Sequence, residues 1–365
     1  MNDDRGAGDD GDGWIVGGRY RLLGRIGGDR AGTVWRARDE TSGRQVALKE
    51  PRLPGEPGGE EYRRAAHRLY REARAAARVE HPGAIVIHDV VAEGEDQVPW
   101  VVRELVEGES LGDVLARGPV GVAEAARVGV AVLGALRAAH AVGIVHRDVR
   151  PGHVLVGDAG RVVLTDFGIA HGYGAETAVE ELEFAAPEWL SGEHAGPESD
   201  LWSLGVLLYA AVEGGSPFRR GTAGETVAAV LAGEAPVAEG AGELGPLLGG
   251  LLVREPGGRM GADEVERVLR AVSGSCAGAG AGAGAEVEAG AGARDAEAGR
   301  LDAEAGEHVG PAGKLGAEAG KLDAEVAKEA REEAGGETRD GVQAGGFDAQ
   351  APERRRPFPL GWLFG

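Results

Sequence analysis

The chain has 365 residues, a formal net charge of −21 and a pI near 4.9, which argues against nucleic acid or an anionic membrane surface as its main partner. Its one cysteine, Cys276, excludes an internal disulfide and fits a reducing compartment, so a cytoplasmic location is expected. No run of about 18 apolar residues occurs, so no transmembrane segment is expected, and the acidic start MNDDRGAGDDGDG is not a signal peptide.

Residues 1–17 read as an acidic, glycine-rich, disordered tail. From Tyr20 the pattern is strand-like: YRLLGRIG, GTVWRARD and RQVALKE, separated by turn residues, predict three antiparallel strands. The first turn is Gly27-Gly28-Asp29-Arg30-Ala31-Gly32. Lys49, on the third strand, is the only lysine in the first 313 residues, because arginine fills the other basic positions. Where arginine is the default cation, a lone lysine points to a site that needs a compact ammonium rather than a planar guanidinium.

A glycine- and proline-rich loop at 54–59 leads to a helical stretch over 60–79, and 85–88 and 100–104 read as two further strands. Then the chain turns helical, with a short helix at 110–116 capped by Ser110 and a long apolar one at 122–141. Next comes HRDVRPGHVLVGDAGRVVLTDFG at 146–168, two charged clusters joined by an apolar strand, the turn Gly157-Asp158-Ala159-Gly160 and a second apolar strand. A hairpin of that size puts Asp148 and Asp166 at one end of a small sheet. Two converging carboxylates suit phosphoryl transfer, one orienting a hydroxyl and the other holding a divalent cation against the phosphates.

Beyond lie Ala186-Pro187-Glu188, an apolar helix over 200–212, and Arg259 in GGRMGADEV. Residues 274–300 are nearly all Ala, Gly and Glu, and AGRLDAE, AGKLGAE and AGKLDAE then repeat at 298, 312 and 319. A glycine in each copy costs a helix about 1 kcal/mol, so 274–365 is expected to be a disordered low-complexity tail. Its end, RRRPFPLGWLFG, is too short to span a bilayer and would at most touch a membrane surface weakly.

The strings H-R-D and D-F-G in that order, with V-A-L-K before them and A-P-E after, resemble the protein kinases, and specifically the eukaryotic-like serine/threonine kinases of bacteria. The resemblance implies an α+β, two-lobed fold over 18–273, with a small β-rich N-lobe at 18–104, a larger helical C-lobe at 105–273 and the disordered tail behind. It implies transfer of the γ-phosphoryl group of ATP to a serine or threonine of a protein, with autophosphorylation. By the same resemblance Asp148 orients the hydroxyl, Lys49 holds the phosphates and is positioned by Glu72, and Arg150 neutralises developing charge. Asp166 binds Mg²⁺ or Mn²⁺, with His153 at the second metal position. The glycine-rich turn contributes Gly27, Gly32 and Val34. Adenine packs between Ile26, Val34, Ala47 and Leu155 and meets the backbone of Glu104 and Val106.

Four positions depart from the family pattern. Asp29 replaces the second glycine of the turn, Arg103 stands at the usually apolar gatekeeper position, His153 replaces asparagine, and Glu181 replaces a threonine beside Asp148. Arg103 is expected to need a carboxylate partner, with Glu72 as the nearest candidate. These departures leave a pseudokinase, a nucleotide- or protein-binding scaffold without phosphotransfer, as the alternative. In the activation segment, 166–188, one of Glu176, Glu180, Glu181 and Glu183 is expected to stand in for a phosphate opposite Arg147, making Thr177 dispensable.

Overall fold

The computed structural model of the protein describes residues 13–94, 96–158, 160–168 and 179–275. The repeats, the C-terminal end, Cys276, Glu176 and Thr177 lie outside the described residues.

Six antiparallel strands form the N-lobe sheet: β1 (Ile15–Val16), β2 (Tyr20–Asp29), β3 (Gly32–Asp39), β4 (Gln45–Pro51), β5 (Ile87–Glu93) and β6 (Val98–Glu104), in the order β1-β2-β3-β4-β6-β5. Alternation decides what each strand buries. On β4, Val46 and Leu48 enter a core with Val16, Tyr20, Leu22, Ala37, Trp100 and Val102. The intervening Ala47 and Lys49 therefore take the opposite face. Register shifts within the β2–β3 pair, at Leu22/Gly24 and Arg25/Gly27, mark bulges that bend the sheet. The bend brings the β1–β2 end of the sheet to β5 at the other edge: Gly17 donates its N–H to the Glu93 carboxylate (2.6 Å) and the Tyr20 hydroxyl donates to Asp89 (3.1 Å).

Helix α1 (Glu60–Ala76) lies on the other face of this sheet, burying Ala73 against Val90 and Val101. Its buried Ala65, Ala66, Leu69, Ala73 and Ala76 recur at helical spacing. The helix stops three residues short of the expected 79, and Ala77 to Val79 finish in tight turns. The strand expected over 85–88 starts later, at Ile87. Gly83 and Ile85 instead hydrogen-bond to Leu164, from whose strand the acidic cluster of the second half emerges.

The C-lobe begins with β7 (Gly108–Ser110) and α2 (Leu111–Leu115), capped as predicted by Ser110 in a reciprocal pair with Asp113. Ser110→Ala is expected to cost about 1 kcal/mol of unfolding free energy, read by denaturant titration, because it leaves an N–H of the first turn without its acceptor. Then follow α3 (Val122–Ala141), a turn at Pro151–His153, β8 (Val154–Gly157) and β9 (Val162–Leu164), which with β7 makes a three-stranded sheet. Short helices α4 (Val179–Leu182) and α5 (Pro187–Leu190) precede α6 (Pro197–Glu213), of which every residue from Ser199 to Val212 is buried. An apolar surface on all sides requires this enclosure. It is packed by α3, α8 (Gly245–Leu251) and Phe218, which stacks on Trp202 at 5.2 Å, while α7 (Ala223–Ala232) and α9 (Ala262–Ser275) complete the lobe. Glu188 and Arg259 form a buried two-pronged ion pair at 2.7 Å, which ties α5 to the segment before α9.

The architecture is the two-lobed α+β fold expected from the sequence. It extends slightly beyond 18–273 at both ends: β1 precedes residue 18, with Val16 fully buried, and α9 reaches Ser275. Among the described residues, no helix is long and apolar enough to cross a membrane.

Candidate active site

The site forms where the β2–β3 hairpin faces the segment 146–153 and the residues after β9. Asp200, at the head of α6 and wholly buried, sets the backbone of that segment. One carboxylate oxygen accepts the N–H of Arg147 at 2.8 Å. The other accepts the N–H of His146 at 2.9 Å and lies 2.7 Å from His140 Nε2. Arg147 is held at φ +67° and Asp166 at φ +65°, a region costly for non-glycine residues that persists only where surroundings enforce it. Phe167, which follows Asp166, is buried against the His146 ring at 4.9 Å.

Asp148 and Asp166 do converge, with the imidazole of His153 between them. Its Nδ1 lies 2.9 Å from the Asp148 carbonyl and 3.3 Å from the Asp148 carboxylate, and its Nε2 lies 3.6 Å from Asp166. Burial opposes the charged imidazole, but Asp148, Asp29 and Asp166 outweigh it and raise the pKa of His153. Asp166 is likewise pushed up by burial, yet Lys49, Arg103 and His153 hold it well below the usual carboxylate range.

Lys49 Nζ sits 3.0 Å from Asp166 Oδ2; the lysine is buried and the Asp166 side chain is 12% exposed. This differs from the expected Lys49–Glu72 pair. Among the described residues, Glu72 makes no ion pair. Burial raises its pKa, and the charges that oppose the rise are Arg68, Arg147 and Arg71 rather than Lys49. Arg103 departs from expectation in the same way: its guanidinium meets Asp166 Oδ1 at 3.5 Å, not Glu72. Among the described ion pairs Asp166 therefore meets both buried cations, which satisfies the desolvation demand of Arg103 without α1.

Arg150 Nε lies 3.2 Å from Asp148 and Nη2 lies 3.1 Å from Asp29 Oδ2. Asp29 also approaches His153 Nε2 at 3.4 Å. Glu181 faces the same region: burial and then the nearby Asp148 charge raise its pKa, as its place in the sequence predicts. The other activation-segment acids behave differently. Glu180 and Glu183 pair with Arg219, at 2.8 and 3.2 Å, so neither takes the phosphate-like position opposite Arg147.

The residues matched to an adenine site flank the connection between the lobes. Val34 lies on β3, opposite Gly27 of β2, and Ala47 is buried on β4. Val106 and Leu155 pack on the C-lobe core, whereas Ile26 stands 45% exposed on β2. Glu104 ends β6. Its N–H is donated to the Val86 carbonyl, and its carboxylate is fixed by Arg161 at 2.8 Å. Gly32 has φ +157°, and a Cβ there would come within 2.1 Å of the Glu50 carbonyl, so this end of the turn admits only glycine.

Sequence reasoning gave Asp200 no role in the site. The available signal was an acid opening an otherwise apolar helix, since a charge in so buried an element needs partners. The contact of Asp29 with Arg150 and His153 spans more than 120 residues and left no local pattern.

A family model described as protein kinase domain matches residues 20–266. The serine/threonine-protein kinase PknA of Mycobacterium tuberculosis is 39% identical over 218 residues, covering 56% of this chain and 49% of PknA. PknL of the same organism is 35% identical over 207 residues, covering 55% of this chain and 50% of PknL. PrkC of Bacillus subtilis is 33% identical over 210 residues, covering 56% of this chain and 32% of PrkC. The chain thus spans half or less of the length of these relatives.

Proposed function

Because the chain belongs to the protein kinase domain family, we propose that it transfers the γ-phosphoryl group of ATP to a serine or threonine hydroxyl of a protein, itself included. One observation carries the reading. Two carboxylates, Asp148 and Asp166, and two cations, Lys49 and Arg150, meet in one cleft, on the two sides of His153. Such a set neutralises and orients phosphates while leaving one carboxylate to orient the hydroxyl, which is most of what phosphoryl transfer asks of a protein.

In this reading Asp148 accepts the hydrogen bond of the attacking hydroxyl and takes its proton as the new P–O bond forms and the bond to ADP breaks. Arg150 stands beside Asp148 to receive charge on the transferred group. Lys49 binds the phosphates nearer the adenine, which lies between Ile26, Val34, Ala47 and Leu155 and bonds to the backbone of Glu104 and Val106. Asp166 fits a divalent cation, since its oxygens are hard, mostly enclosed and held ionised by the neighbouring cations. A cation held by Asp166 would draw its remaining ligands from phosphates and water. When bound, the ion would neutralise charge developing on the phosphates. Lys49 would then exchange Asp166 for the phosphates and Glu72.

Serine or threonine as acceptor follows the names of the relatives. The domain would act in the cytoplasm on proteins, with nucleic acid disfavoured by the −21 charge. Incubation of the purified protein with labelled ATP and either metal, beside Asp148→Asn, tests the assignment. Label incorporated by the wild type and lost in the variant is expected, and equal label in both would refute it.

The metal itself can be resolved further. His153 brings a nitrogen already engaged with carboxylates where the family offers an amide oxygen, so the second position should be weak for Mg²⁺, whereas Mn²⁺ tolerates nitrogen better. Transfer is expected to run several-fold faster with Mn²⁺, and His153→Asn should return the preference to Mg²⁺. Strong Mg²⁺ activity with no gain from Mn²⁺ would remove His153 from the metal site.

A further inference from the structure

Lys49, Arg103 and Arg150 each meet a carboxylate in the cleft, but the carboxylates differ in kind. Asp148 and Asp166 have work assigned to them in the reaction. Asp29 has none, and it comes from the opposite lobe, at the tip of the β2–β3 hairpin where Asp29 pairs with Gly32 across Arg30 and Ala31. Its two oxygens are divided. Oδ1 accepts the Ala31 N–H at 2.9 Å, closing a local turn, and the Ala31 carbonyl in turn accepts the Arg52 N–H at 2.8 Å, so the tip is anchored to its own lobe. Oδ2 is thereby presented to the other lobe, where it meets Arg150 Nη2 at 3.1 Å and His153 Nε2 at 3.4 Å. Burial would raise the pKa of Asp29, but the hydrogen bond to His153 and the charge of Lys49 outweigh it and keep the group ionised.

We propose that Asp29 is an internal competitor of the nucleotide phosphates: its Oδ2 holds Arg150, phosphate oxygens displace it from there, and nucleotide affinity and selectivity for charge are set by that exchange. The proposal rests on the kinase reading of the cleft. The chemistry is anion for anion. A carboxylate at hydrogen-bond distance from a guanidinium whose side chain is only 14% exposed is a charge-assisted contact, and a triphosphate reaching Arg150 Nη2, which also lies 2.9 Å from His153 Nε2, competes with it for that nitrogen. A ligand with the same base and sugar but no phosphate leaves the contact in place. Asp29 therefore lowers the affinity for ATP without lowering that for adenosine, and it keeps Arg150 oriented toward the cleft.

Calorimetry on the full chain, with a non-hydrolysable ATP analogue and with adenosine, each with Mg²⁺, tests this. Asp29→Asn keeps the size of the side chain and an oxygen for the Ala31 N–H, while Asp29→Gly restores the residue usual in the family. Both are expected to bind the analogue about tenfold more tightly than wild type, with adenosine changed less than about twofold, as loss of one charge-assisted competitor predicts. Glu181→Gln measures the through-space effect of removing a nearby carboxylate that has no contact with Arg150 among the described ion pairs, and it should give a smaller gain. Unchanged or weaker analogue binding in both Asp29 variants, equal tightening for adenosine, or an equal gain from Glu181→Gln would each overturn the proposal. If wild type and variants bind neither ligand, the kinase reading itself fails, a result distinct from the other three, and the proposal falls with it.

Discussion

Lys49→Arg is expected to lower phosphotransfer by about a hundredfold or more, the scale on which one preorganised donor acts, while moving the melting temperature little. The two cations carry the same charge, so the loss has to come from shape. Lys49 reaches Asp166 Oδ2 from β4 at 3.0 Å with only 7% of its side chain exposed, and the other oxygen of Asp166 is already faced by the Arg103 guanidinium. A second planar guanidinium would have to share that carboxylate edge in a buried space sized for an ammonium, and its five donors could not all be satisfied. Radiolabel transfer to a generic protein substrate, paired with a thermal melt of the same preparation, separates the two effects. Activity within a few-fold of wild type would mean that Lys49 does not hold the phosphates.

The identity of the elements was legible because it is locally encoded. The period of two in RQVALKE puts Val46 and Leu48 into the core and Lys49 on the opposite face, and the mostly apolar stretch of α3 is helical over the residues expected. Ser110 reads as a cap because its oxygen and the Asp113 carboxylate act within one turn. Pairings between lobes were not legible. Whether Lys49 meets Glu72 or Asp166 depends on where α1 lies relative to β4, a packing outcome that no spacing in either segment records. The same holds for Arg103, whose need for a carboxylate was evident although its partner was not. β1 escaped notice because two apolar residues, Ile15 and Val16, in a glycine- and aspartate-rich context show no period; it is fixed by burial of Val16 and by Glu93, which accepts the Gly17 N–H from a strand far along the chain. Asp29 looked only like a missing glycine. What it gains, the contact with Arg150, belongs to the folded molecule alone.

Asp200→Ala is expected to cost about 3 kcal/mol or more of stability and to remove most of the transferase activity, although Asp200 lies outside the cleft and touches no substrate. It is wholly buried, accepts the N–H groups of His146 and Arg147, and lies against His140 Nε2. Alanine leaves these donors in a dry interior, and each orphaned donor carries its own desolvation cost of about 1–3 kcal/mol. The functional loss follows from position. Arg147 sits at φ +67° immediately before Asp148, and the Asp200 carboxylate holds its N–H there; released, the backbone would relax toward ordinary dihedrals and turn Asp148 away from the His153 edge it now faces. Asp200→Asn separates charge from shape. It keeps one acceptor oxygen but points an NH₂ at a backbone N–H, so it should fold, melt several degrees lower, and show a fall in kcat larger than any change in KM for ATP, because Asp148 is displaced while the nucleotide contacts are not. A folded Asp200→Asn protein with wild-type kcat would show that the backbone of 146–148 is held by the rest of the loop, with Asp200 as a passive acceptor.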